Sequence, residues 1–220
     1  MQGHDGFDDT EKLMQAGRQR MNLEDVREKY KRKNQVLFDR DSACLQELLR
    51  LIRQQKHRTL VMWAFECAEP VVDRLRERYP EDHRPEEALR LCKLWARGEI
   101  KMPEAKRALL QTHAMAKEID NPADIALCHG VGQACASVHV ETHAIGLVLY
   151  ELTAIVREVG IDQCENAVAE KNDDYISRLK FWQREIDREP RQWAAFLLDD
   201  SRPNKEQLLY EKYRKNHPET

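Results

Sequence analysis

No apolar run in this sequence approaches the roughly 20 residues needed to cross a bilayer. The opening stretch MQGHDGFDDTEK contains no apolar core of a secretory signal. A soluble, cytoplasmic protein without membrane contact is the expectation. Close cysteine pairs are also missing. The six cysteines (Cys44, Cys67, Cys92, Cys128, Cys135 and Cys164) are scattered with no Cys-x-x-Cys among them, which argues against a zinc cluster or a disulfide framework. Most fall on the apolar side of expected helices, where a reduced cysteine acts as a small hydrophobe. Sustained period-two alternation is absent, so no sheet is expected. There is no Gly-x-Ser-x-Gly elbow and no glycine-rich phosphate loop, nor a strand-turn-helix to carry either. Nothing in the pattern calls for a cofactor.

A basic excess is lacking as well. The chain carries 36 Lys+Arg against 39 Asp+Glu, a formal net charge of -3. A nucleic-acid partner is therefore not expected, and the basic run Lys29–Lys33 (KYKRK) reads as a solvated helix face. Residues 60–159 carry 12 Lys+Arg against 16 Asp+Glu, a mildly acidic middle compatible with a basic protein partner.

What is present is helical periodicity almost throughout. Asn22 is placed to cap a charged helix, and Asp41 or Ser42 to start a second whose Leu45, Leu48, Leu49 and Ile52 have the i, i+3, i+4, i+7 spacing. Thr59 is placed to cap a helix rich in buried-type residues, with a kink expected near Glu66–Pro70. Pro85 and Gly98 fit the start and the stop of another helix. Pro103 opens the next, and Asn121-Pro122 stops and restarts the chain. Unbroken, Pro122–Val159 would span about 57 Å at 1.5 Å per residue, so a break near Ser137–Val140 is expected, with Ser137 as a cap. Asp162 and Glu165 resemble a capping box before a long helix ending ahead of Pro190. A short helix over Arg191–Leu198 and a last one from Asn204 complete the reading. The fold class is all-α, an irregular bundle of about eight helices without a sheet. The expected organisation is an N-terminal helical extension over residues 1–59 with a disordered start, a core over 60–160, and a C-terminal helical extension over 161–220.

Candidate chemistry centres on histidines and one arginine. In HVETH, His139 and His143 lie four apart and would share one face of a helix. A His-Glu-x-x-His zinc-protease site puts its glutamate directly after the first histidine. Glu141, two positions on, would rotate about 200° away from that face, which removes the protease reading. No metal is expected: these histidines read as residues that hydrogen-bond across helices or line a groove, and a metal site on His139 and His143 would need a further ligand, with His113 and His129 nearest in sequence. Asp82-His83-Arg84-Pro85 sits at a helix start, where amides and Arg84 could bind an anion; alternatively Asp82 caps and Arg84 pairs with an acidic neighbour. The small-residue stretch GVGQACAS (130–137) suits close helix packing.

The runs WAFECAEPVVDRLRERYPEDHRPEEALRLCKLWARGEI, EAKRALLQTHAMAKE and HGVGQACASVHVETHAIGLVLYEL resemble a family of immunity proteins from bacterial polymorphic-toxin systems. The landmarks are Trp63–Glu69, Asp82–Pro85, Trp95–Glu99, His113 and His139–Ala144, and the match covers roughly residues 60–150. Pro70 and Gly132-Gln133 depart from the family pattern. The resemblance implies a non-enzymatic cytoplasmic protein that binds and neutralises a cognate toxin, with Asp82, Arg84, His113, His139 and His143 as binding candidates. The alternatives are a small helical metalloprotein or metal-dependent hydrolase using His139 and His143, and a homodimer built on an exposed apolar helix face.

Overall fold

The computed structural model describes residues 21–217; the expected disordered start lies outside them. Nine α-helices and three short 3-10 turns are found among the described residues, and no strand. The all-α expectation holds, with one helix more than anticipated.

Helix α1 (Glu24–Lys31) has Glu24 and Asp25 in its first turn and Lys29 and Lys31 in its last, the order that complements the helix dipole. Asn22 accepts the Glu24 amide at 3.1 Å. Helix α2 (Gln46–Ile52) follows a 3-10 turn, and Leu45, Leu48, Leu49 and Ile52 are fully buried as their spacing predicts. Helix α3 (His57–Arg78) runs unbroken through Pro70. Pro70 lies on the exposed side, where its ring meets solvent and not a packed neighbour. Nor does Thr59 cap α3: the helix starts two residues earlier, after Lys56, and Thr59 is buried within it.

Helix α4 (Arg84–Arg97) starts with Pro85 in its first turn and stops at Gly98, whose φ of 79° is left-handed. At the start of helix α5 (Met102–Met115) Glu104 reaches back to accept the Lys101 amide at 3.5 Å. Helix α6 (Pro122–Ala136) is capped by Asn121, whose Oδ1 accepts the amides of Ala123 and Asp124. The expected break follows, and helix α7 (Ala144–Val159) resumes after a 3-10 turn. Ser137 caps nothing downstream; its hydroxyl donates back to Ala134 O at 2.6 Å.

Helix α8 (Glu165–Glu185) lacks the expected capping box. Asp162 pairs with Arg27 at 2.8 Å and Glu165 accepts the amide of Met21 at 3.0 Å, so both acids serve the N-terminal segment. Over 191–198 only a 3-10 turn, Ala195–Leu197, forms. Helix α9 (Lys205–Asn216) is capped by Asn204.

The first half of α3 is apolar on nearly every side, as a helix must be to lie inside a core. Trp63 is fully buried and its indole donates to Tyr175 O at 3.0 Å. The Tyr175 ring meets it edge-on at 5.8 Å, and the Tyr175 hydroxyl bonds Glu151 of α7. Tyr175 and Leu179 of α8 thus belong to the same core as α3. All six cysteines are unpaired and five are buried; burial pushes the thiols of Cys44 and Cys128 up to about 12.

Two buried carboxylates fasten the periphery. Asp124 accepts Arg78 at 2.6 Å and the Tyr79 hydroxyl at 3.0 Å, tying the start of α6 to the end of α3. Glu206 accepts Arg40 at 2.5 and 3.1 Å. Beside it, Asn204 uses both ends of its amide: Oδ1 caps α9 while Nδ2 donates to Ile52 O and Gln55 O. Lys205 N donates to Glu141 Oε1 at 2.8 Å.

Asp124 is nearly inaccessible while Arg78 is 41% exposed, so the two halves of this pair are not equivalent. Arg78→Met leaves a buried carboxylate with only Tyr79 as donor and is expected to destabilise by about 3 kcal/mol. Asp124→Asn leaves a guanidinium that water can solvate and is expected to cost about half as much. Urea unfolding of the two variants measures the difference, and the reverse order would contradict this account.

Candidate functional site

The sequence-selected histidines are brought to one side of the bundle by the close approach of α5, α6 and α7. Glycines make that approach possible. A Cβ at Gly132 would come within 2.4 Å of His113 Cε1, and one at Gly146 within 2.6 Å of Gln133 Oε1 and 2.9 Å of Gln133 Cβ. The imidazole of His113 therefore lies directly against the α6 backbone. The packing role expected for the small-residue stretch is seen at these contacts.

His113 and His129 form a pair with their Nδ1 atoms 2.9 Å apart and ring centroids at 5.1 Å. One Nδ1 donates and the other accepts, so the contact tolerates one proton between them and is lost when both rings are doubly protonated. His129 also meets the Tyr150 ring at 5.3 Å. His143 Nδ1 donates to Gln133 Oε1 at 2.8 Å. His139 stacks on Trp95 at 6.4 Å.

HVETH is not helical. Val140 is extended, with φ -145° and ψ 125°, and Glu141–His143 is a 3-10 turn. His139 and His143 therefore do not share a helix face, and the rotation of Glu141 follows from the extended residue and not from the 3.6-residue period. Glu141 is turned inward and buried, with Oε2 3.9 Å from His57 Nδ1. His57 Nε2 donates to Ser137 O at 2.7 Å. Among the described residues no three His, Cys, Asp or Glu side chains are grouped to hold a metal ion, so His139 and His143 gain no further ligand there.

Burial is the first cause lowering the proton affinity of His57, His113, His129 and His143 below the ordinary histidine value. Neighbouring charge adds to it: His129 and His143 act on His113, Lys117 on His129, and His139 and Arg40 on His143. The seam is thus a row of neutral imidazoles near pH 7.

Asp82 and Arg84 lie elsewhere, at the start of α4. Arg84 makes paired bonds to Asp82 at 2.6–3.1 Å and to Glu118 at 2.6 and 3.0 Å. Arg84 holds both carboxylates below their usual range, opposed by a smaller burial effect. Its donors are committed to these two acids, and the motif acts as a clamp between α4 and the end of α5.

A cleft of about 340 Å³ opens beside His139, bounded by Arg53, His57, Glu141, Phe196 and Lys205. Sequence reasoning did not select His57 or this C-terminal wall. Their partners lie 64 and 80 residues away, and no local pattern signals such a contact.

The fold and site define an all-α bundle whose histidine-bearing helices pack through glycine contacts. The chain belongs to the Imm-5 like putative immunity protein family, whose profile matches residues 50–178, from the end of α2 into α8. The resemblance seen over residues 60–150 is borne out and extends further in both directions. No curated protein and no solved structure matches the chain.

Two outcomes follow from this packing. Gly146→Ala must displace Gln133 at its Cβ, an atom fixed to α6, and is expected to destabilise by about 1–3 kcal/mol. Gly130→Ala meets its neighbours no closer than 3.4 Å and is expected to be far milder in the same thermal or urea assay. The second concerns pH. The unfolded histidines titrate near 6.5 and the folded ones lower, so the unfolded state takes up more protons as pH falls. The histidine contribution should be complete above pH 6.5 and decline below it until the folded rings titrate. The urea midpoint should therefore drop from pH 7.5 to pH 5, and less so in His113→Gln. An equal drop in that variant would remove the seam from the explanation.

Proposed function

We propose that this protein is a stoichiometric inhibitor of a cognate bacterial protein toxin, acting in the cytoplasm by binding and not by turnover. Membership of the immunity family over residues 50–178 is the observation that carries this reading. In such a complex a few well-packed anchors supply most of the affinity, while surrounding charge sets encounter rate and partner choice. A rigid surface suits this role, since ordering costs on binding are then small. The buried aromatic pair and the glycine-packed helices described above support this reading. In this reading residues 60–160 form the helical core, and the segments 1–59 and 161–220 are extensions that pack on it.

The test is co-expression with the toxin domain encoded by the neighbouring gene. Growth should be rescued, and the two purified proteins should elute as one complex. Titration of toxin activity should reach zero near one equivalent. Complete inactivation by a small fraction of an equivalent would indicate catalysis, and the absence of both rescue and a complex would reject the proposal.

A further inference from the structure

The acidic middle of the sequence is largely neutralised within the molecule. Glu66 pairs with Arg178, Glu69 with Lys93, Asp82 and Glu118 with Arg84, Asp124 with Arg78, and Glu151 with Lys171. The cleft beside His139 is mixed in the same way, its Lys56 and Arg202 facing Asp200 and Asp199. A different situation holds where the end of α1 and the segment after it approach α6 and α7. Two clefts of about 480 and 540 Å³ adjoin there. The first is lined by Lys117, Ile125, His129, Tyr150 and Arg157 among others, the second by Tyr30, Lys31, Lys33, Leu37 and Arg157. No aspartate or glutamate lines either one.

The clefts meet at Arg157. Its Nη2 donates to Asn34 O at 3.2 Å and Gln35 O at 2.9 Å, so the guanidinium is positioned by neutral carbonyls, and no ion pair among the described residues involves it. Lys31, Lys33 and Lys117 are exposed, and no ion pair among the described residues involves them. Lys33 holds a left-handed φ of 58°, a conformation that glycine would adopt more easily than a residue with a Cβ. Tyr30, Leu37, Ile125 and Tyr150 supply apolar wall between these charges.

We propose that this groove is a docking surface for an acidic, extended segment of the toxin, with carboxylates against Lys31, Lys33, Lys117 and Arg157 and an apolar side chain between the tyrosines. The identity of that partner rests on the immunity reading above. Charge complementarity commits the groove to an anionic occupant. Its apolar walls and few cations, on a chain of net charge -3, favour a protein segment over nucleic acid, whose affinity grows with the number of phosphates neutralised.

The experiment uses the full chain and a fluorescein-labelled ten-residue peptide alternating glutamate and leucine, read by fluorescence anisotropy. A lysine–leucine peptide and a ten-nucleotide oligothymidylate serve as comparison probes. The acidic peptide should bind, more weakly at high salt, and the other two should not. The double variant Lys33→Glu, Lys117→Glu should weaken binding by roughly tenfold or more, with its circular dichroism and melting unchanged. Arg50→Glu, Lys212→Glu, reversing two exposed cations outside the groove, should leave binding as it was. No binding of the acidic peptide, equal or tighter binding of the oligonucleotide, or equal losses in the two double variants would overturn the proposal. The toxin co-expression assay separates the two readings. If the wild type and the groove variant protect equally, the toxin does not dock here, while the immunity function stands. If the wild type fails to protect, the immunity function falls, and the peptide result alone decides whether the groove takes acidic segments.

Discussion

The indole of Trp63, sealed from water in the first half of α3, donates its single hydrogen bond to the main-chain carbonyl of Tyr175. A buried donor without a partner would cost about 1–3 kcal/mol, so this bond fixes how α8 lies on α3. The constraint spreads outward. Tyr175 must remain helical at that height, its ring fills the space beside Trp63, and its hydroxyl holds Glu151 of α7. Lys171 then balances Glu151 at 2.8 Å. Three helices from distant parts of the chain are thereby set in place around one aromatic pair, and α6 can approach α7 only in the geometry they leave.

That geometry explains why the charged forms of His113, His129 and His143 are disfavoured and why these rings sit where they do. Gly132 and Gly146 let α5, α6 and α7 approach until imidazole and amide side chains fill the gap that β-carbons would occupy. Rings packed against backbone lose water, and the loss of water disfavours the charged form. Histidine suits such a seam because each ring presents one donor and one acceptor in its neutral state, as the contacts His113–His129 and His143–Gln133 use them.

Much of the fold was legible from residues read singly or in short windows. Leu45, Leu48, Leu49 and Ile52 declared their helix by spacing, while Gly98, Asn121 and Asn204 marked boundaries through caps that depend on a few adjacent atoms. Thr59, Ser137 and Glu165 misled because a capping residue acts only where the chain enters a helix, and tertiary contacts decided that point. HVETH misled for a related reason: Val140 adopts an extended backbone that no composition rule announces. The site was less legible still. The His113–His129 contact joins two helices across 16 residues, and the Glu66–Arg178 pair spans 112. Net charge summed along a segment therefore could not reveal which face of the folded molecule is acidic and which is basic.

Asn204, Lys205 and Glu206 fasten α9 to the bundle within three consecutive residues, by a bridging amide, a main-chain donor and a buried carboxylate. Beyond them Leu208, Leu209 and Tyr213 face outward. Attachment and display are thus encoded by different letters of the same helix. Substitutions at the outward positions of α9 can therefore change what this helix presents to solvent while the joint at its start is left undisturbed.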